Sequence, residues 1–481
     1  MREIEPAVLR AQPFLTRLNR GVLSDPRFHL IFDDARNFLQ TANEPYDLII
    51  SEPSNPWIAG ISALYTTEFY AALRQKLAPG GAFVQWIQAY ALAPEDFRMI
   101  VASAASHFAE LSLWRSGGRD YLLLARTDKA AFTFERARKL WGEPELYQDF
   151  QTLHLTAPES WPVYFRLNDT QLRTLAVGAQ LNTDDRTRLE YNAPKRLLAE
   201  PLTDELARYI ASFRAGLAPN NVEPADLPSV RLAAAESALD QDDPSAAEWI
   251  AQVGEAAPPG RIAYLKGRLA LQQNHSQEAT ELLKDAVRKD TNQLEEIYWL
   301  AKAQAQAGML DAASGSLERI LVLSPHDKNA LGASVRLAQQ RGDWDRAISF
   351  QIRLRDAEPG VNAGSYCALG DLYLRKGDRA AAEQPFRHGL QRDAYAYLCH
   401  RDLGELLRAN GRLAEAEAEL DFVIAHFPEA DPKTYASQAL LYQAQGKRSQ
   451  QEQVLAKGLR IFPDDGLLRK MSESVNRAAT P

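Results

Sequence analysis

YDLIISEPSNPWIAGISALYTTEFYAALRQKLAPGGAFVQ, Tyr46 to Gln85, decides the fold of the first part of this chain. YDLII (46–50) is a short apolar run of strand type, and Glu52 to Pro56 is a polar loop. Residues 64–77 carry apolar side chains at helical spacing, Pro79-Gly80-Gly81 is a strong breaker, and AFVQWI from Ala82 is a second buried strand. Strand, helix and strand in that order belong to an α/β sheet with helices on its faces. Such sheets keep their chemistry just past the carboxyl ends of the strands, which is where Glu52 stands.

The same alternation extends over residues 1–126. Residues 1–5 read as the end of a strand, and Pro6 suits the first turn of a helix reaching about residue 18. FHLIF (28–32) is a strand followed by a helix opening at Asp33-Asp34. A helix over 94–107 and a closing antiparallel pair, LSLW and YLLLA, complete the domain. Residues 127–220, with WGEPELY, APESWPVYF and LNTDDRTRLEYNAPKRL, read as an irregular appendage packed on the sheet.

From about residue 228 to 472 the period changes. Small residues recur at Gly267, Ala301, Val335, Gly370, Gly404 and Ala439, a spacing of 34 or 35. Ala279, Ala313, Ala347, Ala382 and Ala416 follow twelve residues after the first five, and loop glycines fall in phase at Gly308, Gly342, Gly377, Gly411 and Gly446. This spacing resembles the tetratricopeptide repeat: two antiparallel helices, small residues where they cross, then a turn that usually carries proline. Six repeats are clear, and 230–259 is expected as a degenerate seventh. Stacked repeats form a helical superhelix with a concave groove, so a protein or peptide is the expected partner there.

Across the 481 residues the formal net charge is -8 and no basic run stands out, which excludes nucleic acid as the main partner. No apolar run is long enough to cross a bilayer, and no signal segment opens the sequence. The eight histidines are scattered without ligand spacing, so no metal is expected. Cys367 and Cys399 read as small buried hydrophobes of a reducing compartment, with no disulfide and a cytoplasmic location expected.

Residues 1–126, and more thinly those to Leu197, resemble the polyamine aminopropyltransferases, the spermidine synthase family. The resemblance rests on REIEPAVL, IFDDARNFL, the Glu52 loop, ALYTTEFYAAL and LAPGGAFVQW. It implies a sheet like that of S-adenosylmethionine-dependent methyltransferases. Decarboxylated S-adenosylmethionine, or S-adenosylmethionine itself, would be co-substrate, with a polyamine or other amine as acceptor. By the same resemblance Glu3 binds the donor's ribose, and Asp34 with Ala35 holds the adenine. The alternatives read from the residues alone are acids at a helix N-terminus for Glu3 and an N-cap for Asp34. Where the family has an Asp-x-x-Asp-Pro loop to orient and deprotonate the amine, this chain has Glu52-Pro53-Ser54-Asn55-Pro56. One acid is kept and the second has become an amide. Tyr65 and Gln85 are expected to line the mouth of the cleft, while Asp184 and Asp185 are expected in structural ion pairs as their segment folds back.

The resemblance also implies a Gly-rich turn after a central first strand, and neither is found. The expectation is therefore a sheet lacking its first strand, in a chain shortened from a longer parent that carries a membrane segment. The neighbours of that strand would be left about 10 Å apart or be forced to pair with each other. Three functions follow: an aminopropyltransferase impaired by the loss, an inactive remnant acting as a repeat scaffold, or a methyltransferase on the same sheet.

Overall fold

The computed structural model describes residues 2–3, 6–11, 21–41, 44–56, 58, 60–89, 92–116, 120–129, 134–197, 205–214, 216, 222–254, 257–289, 293–357 and 362–477. The chain divides into two compact units, Met1–Pro258 and Pro259–Pro481.

In the first unit the parallel pair β1 (Arg2–Glu3) and β2 (Ile31–Phe32) stands apart from a five-stranded sheet. That sheet has the order β3-β4-β6-β5-β7. Its strands are β3 (Tyr46–Ser51), β4 (Leu77–Gln88), β5 (Glu110–Arg115), β6 (Asp120–Arg126) and β7 (Phe165–Leu167). β3 and β4 are parallel and joined through α3 (Thr67–Lys76), whereas the other pairings are antiparallel. Glycine is required where the chain leaves α3 and turns beside β3. Gly80 has φ +75°, and a Cβ on Gly81 would lie 2.8 Å from the Ala78 carbonyl oxygen.

Alternation along β4 sends Phe83, Gln85 and Ile87 into the core, beside Phe69, Tyr70 and Leu73 of α3 and Phe97 and Ile100 of α4 (Pro94–Ala105). Helix α2 (Ala35–Thr41) adds Leu39. The opposite face is thinly covered: Leu48 and Ile50 of β3 are 52% and 68% exposed. Parallel strands are normally buried on both faces. Among the described residues β3 pairs with β4 alone, and β1 does not pair with β3. The described strands thus form two separate hydrogen-bonded sheets.

The segment 127–220 is more regular than its composition implies. It holds α5 (Glu135–Trp141), α6 (Pro144–Thr152), β7, α7 (Asp169–Ala176), α8 (Arg188–Leu197) and α9 (Glu205–Ser212). β7 joins the sheet beside β5, and Phe165 meets Trp114 edge-on at 5.4 Å between ring centres. Helices α10 (Leu227–Asp240) and α11 (Ala246–Val253), the segment expected as a seventh repeat, belong to this unit. The Thr156 amide donates to Ser237 Oγ of α10 at 3.3 Å, and Ser160 Oγ donates to the Ala233 carbonyl at 3.4 Å.

The second unit consists of helical pairs. They are α12 (Pro259–Gln272) with α13 (Ser276–Lys289), α14 (Leu294–Gln306) with α15 (Leu310–Leu323), and α16 (Lys328–Gln340) with α17 (Trp344–Asp356). Then come α18 (Ala363–Lys376) with α19 (Arg379–Arg392), α20 (Tyr397–Ala409) with α21 (Leu413–His426), and α22 (Pro432–Ala444) with α23 (Arg448–Ile461). Helix α24 (Gly466–Arg477) packs on the last pair. The in-phase small residues sit where paired helices touch. A Cβ on Gly267 would fall 2.6 Å from Leu283 Cγ, and one on Gly370 would fall 2.5 Å from the Phe386 ring. Asp327, Asp343, Asn362 and Asp378 cap α16 to α19 in turn.

The expectation of free thiols is overturned. Cys367 of α18 and Cys399 of α20 are joined in a disulfide, with their Cα atoms 5.0 Å apart. Local spacing hid the pair. The first helices of consecutive repeats lie side by side, so residues 32 apart in sequence come into contact.

Candidate active site

Glu3, Asp34 and Glu52 each fall at or just past the carboxyl end of a parallel strand. Glu3 ends β1 and is level with Phe32 of β2, so Asp33 and Asp34 follow at the same end. The Glu3 side chain lies outside the described residues, as does Glu5. Asp34 is half-buried and caps α2, its Oδ1 accepting from the Arg36 and Asn37 amides at 2.9 Å each. Both bonds use one oxygen, so the cap is compatible with a ligand on the other. Ala35, the first residue of α2, is exposed.

Glu52 follows β3 directly. It is exposed and has no ion-pair partner among the described residues. Pro53 and Pro56 are buried and pin its loop, and the Asn55 carbonyl accepts from the Ile58 amide at 2.9 Å. A 3-10 turn over Ile61–Tyr65 then leads into α3, which Thr66 caps.

Tyr65 and Gln85 differ from the expectation. Both are buried, at 1% and 0% exposure, inside the core rather than at an opening. Gln85 accepts from the Tyr70 hydroxyl at 2.5 Å and donates to the Leu64 carbonyl at 2.9 Å. Burial pushes the Tyr65 and Tyr70 phenols up. The sequence placed Gln85 correctly on a strand, but alternation turns it toward α3.

Gln88 is a residue that sequence reasoning missed. It ends β4, is 1% exposed, and neither amide atom has a hydrogen-bond partner among the described residues. Buried polar groups are nearly always paired, so an orphaned amide at the ligand end of the sheet is notable.

Arg36 was also missed. Its Nη1 donates to the Ala63 carbonyl at 3.2 Å, and its Nη2 pairs with Asp184. Burial works against the charge of Asp184, but Arg36 and the Thr66 hydroxyl more than offset this and lower its pKa. One guanidinium thus braces the helix behind Asp34 against the turn behind Glu52. LNTDDRTRLE folds onto that brace. Asn182 donates to the Ser62 carbonyl at 3.0 Å, the Thr67 amide donates to the Asn182 carbonyl at 2.8 Å, and Ser62 Oγ donates to Glu190 at 3.1 Å. The signal was available in the motif, but its partners lie more than a hundred residues away.

Among the described residues no group of three or more His, Cys, Asp or Glu could hold a metal. No described helix is long and apolar enough to cross a membrane.

Acids at the carboxyl ends of parallel strands, ahead of stacked helical pairs, define an α/β unit joined to a helical-repeat array. Comparison with known families names both parts. Residues 3–116 match the spermine/spermidine synthase domain, and residues 363–395 match the tetratricopeptide repeat. The polyamine aminopropyltransferase of Mycobacterium tuberculosis is 35% identical over 108 residues, 22% of this chain and 21% of that protein. Its counterpart from Escherichia coli O1:K1 is 40% identical over 85 residues, 18% of this chain and 29% of that protein. The chain therefore spans less than a third of the length of either relative. Among solved structures, the tetratricopeptide protein YrrB is 15% identical with a TM-score of 0.33, covering 40% of this chain and 99% of its own. A tetratricopeptide protein of Parabacteroides merdae is 16% identical with a TM-score of 0.39, covering 52% of this chain and 99% of its own.

Proposed function

We propose that the first unit is a transferase of the S-adenosyl-donor class that moves an aminopropyl group onto an amine, and that the repeat array binds a protein or peptide. The observation that carries this reading is Glu52, an exposed carboxylate without an ion-pair partner, just past β3 inside a spermine/spermidine synthase domain. In the reaction, a neutral amine nitrogen attacks the carbon next to the sulfonium of decarboxylated S-adenosylmethionine. The N–C bond forms, the C–S bond breaks, and methylthioadenosine leaves. The attacking amine must first lose its ammonium proton, and Glu52 is placed to orient it and accept that proton. Asn55 contributes an amide where a second carboxylate would favour a dication, so an acceptor of lower charge than putrescine suits this loop. Asp34, with Ala35 beside it, is assigned to the adenine and Glu3 to the ribose. Gln88 supports a polar ligand atom above β4.

The test is methylthioadenosine release from decarboxylated S-adenosylmethionine with a panel of mono- and diamines. Glu52→Gln should lower the rate at least about a hundredfold, the low end for removing a general base. Binding of S-adenosylmethionine alone, with methyl transfer, would favour the methyltransferase reading. Failure to bind any donor would favour the repeat-scaffold reading, which the uncovered face of β3 also supports. The cytoplasmic location expected from free thiols loses that support, because disulfides persist mainly in oxidising compartments.

A further inference from the structure

β5 lies three strands along the sheet from β3, runs in the same direction, and ends on Arg115. Arg166 from β7 meets it on one carboxylate, and Arg214, from just beyond α9, is near enough for its charge to act on the Arg166 guanidinium. Arg115 and Arg166 share one buried carboxylate, Asp243, in the loop between α10 and α11. Arg115 Nη2 lies 2.8 Å and Arg166 Nη2 3.2 Å from Asp243 Oδ2. Asp243 Oδ1 is already occupied by the Ser245 amide at 2.8 Å and the Ser245 hydroxyl at 2.6 Å. Both oxygens of Asp243, the one carboxylate among the described residues that contacts these arginines directly, are therefore in use.

The donors are not all matched. Arg166 Nη1 donates to the Val163 and Phe165 carbonyls at 2.8 Å each, and Arg115 Nη2 also reaches Gln241 at 3.3 Å. Nε and Nη2 of Arg214 are buried and have no hydrogen-bond partner among the described residues. Leaving such donors unpaired costs roughly 1–3 kcal/mol each, more when they carry charge. The remaining neighbours do not restore neutrality. Tyr121 and Tyr164 act on the cluster as phenols, and Glu248 of α11 reaches Arg214 only through space. Burial drives Arg166 down to about 10 and lowers Arg214 as well, and among the described residues three guanidiniums stand against two carboxylates, Asp243 and Glu248.

We infer that Arg115, Arg166 and Arg214 form a binding site for a small oxyanion, a phosphate either free or carried as a monoester. Guanidinium forks match phosphate oxygens two at a time, and charge-assisted bonds of this kind are about twice as strong as neutral ones. An anion bridging Arg214 and Arg115 would satisfy the orphaned donors and bring the cluster close to neutrality. The site stands at the sheet end where open α/β sheets take ligands, and it is independent of the transferase reading.

Calorimetric titration of the full chain with inorganic phosphate and with glycerol phosphate, at ionic strength matched with chloride, tests this directly. Saturable binding of either ligand is expected, and binding of the ester alone would identify the monoester as the source. Arg214→Gln should weaken binding by about tenfold or more, as expected for losing a charge-assisted fork. Arg115→Gln serves the same purpose at a more accessible position should Arg214→Gln fail to fold. No saturable binding by the unaltered chain, or binding indifferent to both substitutions, would overturn the site.

Discussion

The two units of this chain place their apolar side chains under different rules. In the repeat array every residue that marks a helix crossing is buried, from Gly267 through Ala301, Val335, Gly370 and Gly404 to Ala439. In the sheet unit Leu48 and Ile50 stand 52% and 68% exposed on a strand that an α/β sheet would normally cover. A repeat closes on a neighbour about one period away, so each pair of helices brings its own cover. A strand depends on partners from distant parts of the chain, and β3 has one among the described residues.

The largest effect should come from removing a side chain that a repeat encloses. Phe386 is fully buried against Gly370. Phe386→Ala is expected to cost ~3–5 kcal/mol, read from the denaturant midpoint of the array's unfolding. A loss below about 1 kcal/mol would mean the array is loosely packed, and the contrast with the sheet unit would collapse.

This contrast also explains what could be read in advance. The array was legible because its signal is local: Gly370 and Phe386 are sixteen residues apart, and the same offset joins Gly267 to Leu283 and Gly404 to Leu420. The βαβ core was legible because period-2 and helical patterns alternate cleanly from Tyr46 to Gln88. β7 was not, since three residues among prolines and aromatics carry no period, and only pairing with β5 makes them a strand. Asp34 and Glu52 were placed correctly at strand ends, because the end of an apolar run marks the end of the strand. Tyr65 and Gln85 were misjudged, because which way a strand residue faces depends on the helix packed on that face. The disulfide and Arg36 were missed for a related reason: their partners are 32 and 148 residues away.

The disulfide offers the next test. Cys367→Ser with Cys399→Ser, or reduction of the unaltered chain, should lower the array's stability by about 2–4 kcal/mol, typical of a bridge closing a loop of this length. The sheet unit holds no cysteine and should respond to neither treatment. A change in the sheet unit of equal size would show that the two units do not unfold separately.

A smaller, pH-confined effect should come from His400. Its Nδ1 faces Glu419 at 2.5 Å and its Nε2 faces the Ala394 carbonyl at 3.0 Å, so both nitrogens meet acceptors, an arrangement that favours the imidazolium form. Burial alone would depress its pKa, but the Glu419 carboxylate and the Ala394 carbonyl overcome that and raise it. A folded pKa above the unfolded value, about 6.5, means this contribution is fully present below that pH. It fades as pH rises through the folded pKa. Array stability should therefore decline on the alkaline side, and His400→Gln should remove that slope. A slope unchanged in the variant would assign it to another group.

The smallest effect is the one that bears most on the sheet unit. Ile50→Thr replaces the ethyl arm of a side chain that already faces solvent with a hydroxyl and keeps the β-branched shape a strand prefers. Its cost should lie within about 0.5 kcal/mol, against several for Phe386→Ala. Binding of a hydrophobic dye should fall, since exposed apolar patches are what such dyes report. A cost above about 1.5 kcal/mol would instead be the signature of a buried side chain. In that case the outer face of β3 is covered in solution, and the difference between the two units becomes one of where the cover comes from.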